Sequence, residues 1–213
     1  MAIAMLLGIP AAGTAEERKC RGTIRSKTLV NVKVPVGASC TLKSVKVKGT
    51  VKVGRNARLE AIRVRVVGNV QAENARQVIV RAGSKVGGSI QIVQGRKARI
   101  KGTTVNGDIL FDDQRGALLA RRNVLGGSLQ AFQNSGGIRI RGNRIDGNLQ
   151  CKENRPPPRG GNNRVQGNKD DQCSRLKPLL PTRALCALGF GALSPSDVRP
   201  EHPDNAGKLD PRS

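Results

Sequence analysis

Aromatic side chains are almost missing from this chain. Phe111, Phe132 and Phe190 are its three rings among 213 residues, with no tyrosine and no tryptophan. That excludes a core built on large rings, and it excludes the single-strand nucleic-acid binders that stack bases on exposed aromatics. Histidine is limited to His202. Ser-His-Asp and Cys-His catalytic groups need a histidine beside the nucleophile, and the body of the chain has none to offer. Acidic residues number 15 against 38 lysines and arginines, a formal net charge of +23. Few carboxylates remain for sugar hydrolysis or for holding Ca²⁺. The longest apolar run is too short to cross a bilayer as a helix.

What is present is Val, Ile, Leu and Ala for a core, and 26 glycines. Small β-branched residues suit rows of stacked strands. At the front, Met1 to Ala12 is nearly all apolar, Gly13-Thr14-Ala15 makes a small-x-small cleavage site, and Glu16-Glu17 follows. Residues 1–15 are therefore expected to be a signal peptide, although a positive n-region is missing. The cysteines fit the oxidising compartment that such a leader implies, with Cys20 and Cys40 early, Cys151 and Cys173 late, and Cys186 left over. None has Cys-x-x-Cys or Cys/His metal spacing, so no metal or cofactor is expected. Four paired cysteines allow three connectivities.

A repeat carries the fold. Seven glycines, Gly49, Gly68, Gly88, Gly107, Gly127, Gly147 and Gly167, follow one another at spacings of 19 or 20 residues. Two residues before each stands an apolar residue: Val47, Val66, Val86, Val105, Leu125, Ile145 and Val165. Two after stand Val51, Val70, Ile90, Ile109, Leu129 and Leu149, with Lys169 closing the series. Polar residues alternate with them, a period of two that marks a strand with one buried face. A second strand follows in each repeat, ending near Val78-x-Val80, Ala98-x-Ile100, Ala117-x-Leu119 and Ile138-x-Ile140. A unit of about 20 residues with two or three short strands is one coil of a parallel β-helix, since no coil can bury its apolar face alone. The expected fold is an all-β, single-stranded parallel β-helix of about seven coils, right-handed, over residues 16–173. The central glycines are expected at a bend where a side chain would crowd the interior.

Four residues before the glycine stand Asn123, Asn143 and Asn163, preceded in that column by Ser84 and Thr103. Stacked asparagines can hydrogen-bond along a solenoid axis, so a structural ladder is expected rather than a ligand row. Cys20 and Cys40 lie one coil length apart, and Cys151 and Cys173 slightly more. Stacking then favours the pairs Cys20–Cys40 and Cys151–Cys173 as clamps on the two ends, with Cys186 free. Residues 174–213 lose the repeat and crowd six prolines into forty positions. They read as a disordered Pro-rich tail, or as the product of a shifted reading frame.

The stretch from Asn143 to Cys151, then Asn154, Pro156 to Pro158, Gly160-Gly161, and Asn163 to Cys173, resembles the C-terminal part of uncharacterised small exported bacterial proteins with parallel β-helix repeats. The resemblance covers about residues 20 to 173 and implies an architecture, not an activity. More loosely, the chain is similar to bactofilins, which form cytoplasmic filaments and carry neither a leader nor paired cysteines.

For function, Asp112-Asp113 is the nearest thing to a catalytic pair, but neighbours in a strand point to opposite faces. The first reading is a non-catalytic, secreted or periplasmic structural scaffold. The alternative is a basic surface module for anionic polymers such as glycans, lipid headgroups or nucleic acid. A further one is a polysaccharide-active β-helix enzyme. Three residues before the glycine, Lys46, Arg65 and Lys85 should form an outward basic row, which attracts polyanions through salt-sensitive contacts. Sequence-specific DNA reading is not expected, because no helix is available for the major groove.

Overall fold

A computed structural model describes residues 16–176. The expected leader, the expected tail beyond Leu176 and Cys186 all lie outside the described residues.

The chain is a parallel β-solenoid of about eight turns. Three parallel sheets run along it, the first of nine strands and the other two of eight each. One coil shows how the sequence makes them. Ile90–Val93 joins the first sheet, Lys97–Lys101 the second and Thr104–Val105 the third, and Ile109–Asp112 then re-enters the first. Within that coil Ile90, Ile92, Ala98, Ile100 and Val105 are buried. Gln91, Lys97, Arg99, Lys101 and Thr104 are exposed. The period of two thus places alternate residues in the core. In the next coil the buried pair is Leu118 and Ala120, which pair with Ala98 and Ile100, and not the expected Ala117 and Leu119, one residue earlier. Each coil contains three strands, one more than the pattern made plain, because strands of two residues such as Lys46–Val47 are too short to alternate visibly.

The inner columns stack in register. Val47, Val66, Val86, Val105, Leu125 and Ile145 run along the third sheet. In the first sheet Phe111 lies between Ile92 and Ala131, so the one fully buried ring among the described residues has a small neighbour on one side. Successive coils sit about 4.8 Å apart, which makes the rod on the order of 40 Å long.

The three corners use two devices. Between the second and third sheets a residue in the left-handed region turns the chain: Ser44 (φ 53°), Arg63 (51°), Gly102 (59°), Arg122 (53°), Gly142 (65°) and Asn162 (55°). The next residue points inward. In the later coils it is Ser84, Thr103, Asn123, Asn143 or Asn163, all buried. Asn143 Nδ2 donates to Ala120 O (3.0 Å) and to Asn163 Oδ1 (2.9 Å), and its Oδ1 accepts from Asn123 N (3.0 Å) and Nδ2 (3.1 Å). The corner between the first and second sheets repeats the device. Asn74, Gln94, Asp113, Gln133 and Glu153 take positive φ. Behind the last three stand buried Gln114, Asn134 and Asn154, a second ladder that ends on Gln172.

The third corner explains the glycines. Just after each glycine a short polar side chain accepts a hydrogen bond from the same position one coil on: Asn69 Oδ1 from Ser89 N (2.8 Å), Ser89 Oγ from Asp108 N (3.0 Å), Asp108 Oδ1 from Ser128 N (2.6 Å). That side chain lies where a Cβ on the next coil's glycine would be. Gly88 would strike Asn69 Oδ1, Gly107 Ser89 Oγ, and Gly127 Asp108 Oδ1. The crowding comes from the neighbouring coil and not from the interior, which corrects the expectation.

The count of coils rises to eight for the same reason. The first coil has Val30 in the glycine column, half-exposed at 38 %. Glu17, the residue paired with Asn31 at that edge, reaches out to Lys33 (3.5 Å) and leaves room for the valine.

Disulfides close both ends. Cys20 is bonded to Cys40, with Cα atoms 5.5 Å apart, and Cys151 to Cys173, at 5.1 Å. The packed chain continues past Cys173 through the short 3₁₀ turn Gln172–Arg175 to buried Leu176.

Candidate polyanion-binding face

The outward residues of the three sheets carry very different charge. On the third sheet Lys46, Arg65 and Lys85 are exposed and stack in register, as one row. Thr104 and Val124 interrupt it before Arg144 and Arg164 resume. This sheet is narrow, offering one outward position per coil.

The second sheet is broader and more basic. Its strands carry eleven lysines and arginines and a single acid, Glu60. One outward column runs Arg25, Lys43, Ile62, Arg81, Lys101, Arg121, Arg141. Beside it run Arg99, Leu119, Arg139 and Arg159. Glu60 Oε1 pairs with Arg81 at 2.9 Å, and no other ion pair involves this sheet among the described residues. Bases stacked directly opposite one another repel. With Glu60 as its single counter-charge, the face favours an anion from outside.

The first sheet is close to neutral. Its strands hold six bases and five acids, the latter being Glu17, Glu73, Asp112, Asp170 and Asp171. Its outward middle column runs Lys33, Lys52, Gln71, Gln91, Leu110, Gln130, Gln150 and Asp170, with Gln71 donating to Gln91 (3.3 Å) and Gln130 to Gln150 (2.9 Å).

The remaining sequence candidates fall into place. Asn123, Asn143 and Asn163 are turned inward and buried, so no ligand from solution reaches them. Asp112 ends a strand on the first sheet and Asp113 makes the left-handed corner at φ 46°. Their backbones serve the corner, since Asp112 O accepts from Gln94 N (2.9 Å) and from Gln114 Nε2 (2.8 Å). Among the described residues no three His, Cys, Asp or Glu side chains are grouped to hold a metal ion.

Sequence reasoning missed the second sheet as the main basic surface. The signal was available: Lys101, Arg121 and Arg141 recur six residues before the glycine, and Arg99, Arg139 and Arg159 eight before. An extra corner residue at Ala82-Gly83, both at positive φ, shifts Arg81 out of that count and hides the column. The chain matches no family model, no curated protein and no solved structure.

Proposed function

We propose that this chain is a non-catalytic, extracytoplasmic solenoid scaffold whose second sheet holds linear anionic polymers. The observation that carries this is the ratio on that sheet, eleven bases to one acid, on a flat surface with a single internal ion pair. The two disulfides support an oxidising compartment. No helix among the described residues is long and apolar enough to cross a membrane.

The test compares two triple charge reversals on the full chain. Lys101→Glu/Arg121→Glu/Arg141→Glu alters the second sheet, and Lys46→Glu/Arg65→Glu/Lys85→Glu alters the third by the same charge. Binding to heparin is measured across a salt series. The second-sheet variant is expected to lose most of its affinity and its salt dependence, because fewer counterions are released. The third-sheet variant is expected to retain most of both. Equal losses would show that net charge alone governs binding, and no binding by the parent chain would end the proposal.

A further inference from the structure

The second sheet is not uniform along its length. Toward its C-terminal end a shallow notch of about 440 Å³ opens beside the arginine column, lined by Arg99, Leu119, Arg139, Arg159, Pro156 and Pro157 among others. Its size falls in the range of small-ligand sites, roughly 300–1,000 Å³. The prolines follow the Glu153–Asn154 corner and lead into the strand Arg159–Gly161. None of the three arginines has an ion-pair partner among the described residues. The site therefore combines forked cationic donors with an apolar floor and wall.

We infer that this notch is the recognition point for one acidic sugar unit of a carboxylated or sulfated polysaccharide, a reading that rests on the polymer-binding role of the second sheet. Arg139 and Arg159, stacked on adjacent strands, can grip a planar carboxylate or a sulfate by paired N–H donors. Leu119 and the two prolines offer an apolar surface for the C–H face of the sugar ring, in the way mixed ligand sites use apolar lining with a few placed polar groups. Lys101, Arg121 and Arg141 lie alongside as a straight row in which to seat the next charges of the chain.

The coil-to-coil register of that row favours a linear ligand. Its positions advance about 4.8 Å per coil along one line. Duplex DNA presents its phosphates on a helical path and is read by elements that enter a groove, and the second sheet carries no helix that could enter one. Single strands need stacking rings, and no aromatic residue lines the notch.

The experiment uses the full chain with a short acidic oligosaccharide, tri-galacturonate, and a heparin-derived tetrasaccharide, alongside intact heparin, duplex DNA and anionic phospholipid vesicles. Arg139→Ser/Arg159→Ser is compared with Arg65→Ser/Lys85→Ser, which removes equal charge from the third sheet. Both pairs are exposed, and thermal melts check folding. One oligosaccharide at least is expected to bind at one site per chain. The notch variant should lose about tenfold or more in affinity, the scale of one lost charge-assisted hydrogen bond, while the third-sheet variant stays within about twofold. Equal oligosaccharide binding by the notch variant would overturn the notch and leave the polymer-binding face standing. Failure of both oligosaccharides and heparin to bind would overturn both readings. DNA or vesicles that bind more tightly than any glycan, unaffected by the notch variant, would overturn the sugar class alone.

Discussion

Asn143 uses its full hydrogen-bonding capacity, with two bonds donated and two accepted inside the rod. Asn143→Ala would leave buried Asn123 N without its acceptor and take one bond each from Asn123 Nδ2, which keeps Ile100 O (3.0 Å), and from Ala120 O. A loss of about 3 kcal/mol or more is expected in urea unfolding, since each orphaned buried group costs about 1–3 kcal/mol. The Thr103 hydroxyl makes only long contacts of 3.4 Å to Val80 O and Lys101 O. Thr103→Asn extends the ladder by one step and is expected to raise stability by about 1 kcal/mol. A loss on that substitution would show that the threonine site is too tight for an amide. The Asn123, Asn143, Asn163 column is visible in the sequence because its spacing stays constant. The second ladder is harder to see, because its upstream positions are Ala75 and Gly95 and its last member, Gln172, sits two residues early. The reason for the glycines was hidden altogether, since it depends on a side chain one coil away.

At the scale of elements, every inner strand is satisfied on both edges and the terminal ones on one. Terminal coils of a solenoid fray for that reason. The disulfides act there, each closing a loop of 20 or 22 residues. Such a link is worth about 3 kcal/mol in the chain-entropy model. Cys151→Ser/Cys173→Ser should accelerate amide exchange over Leu149–Lys152 and Arg164–Val165 before it touches Ile90–Val93. Uniform acceleration throughout would mean that the coils open together and that the clamps are not local. One-coil spacing made these pairings legible in advance. The eighth coil was not legible, because Val30 breaks the glycine column at the one end where the preceding strand leaves it space.

For the whole molecule, the net charge of +23 is not spread evenly, and the second sheet concentrates it without matching acids. Self-repulsion of this kind destabilises the compact state and is screened by salt. Raising NaCl from about 0.01 M to about 0.3 M, where the Debye length shrinks from about 30 Å to below 10 Å, should raise the melting temperature. A flat or falling profile would show that the stacked bases do not strain the fold. The same lopsidedness has a directional consequence. With the second sheet strongly positive and the glutamine-laddered first sheet near neutral, the rod carries an electric dipole across its axis. Near any negatively charged layer it feels a torque as well as a pull, and it rolls until one side lies down. The near-neutral side is then left facing away, so that a coated surface would present balanced charges and glutamine amides to whatever approaches next.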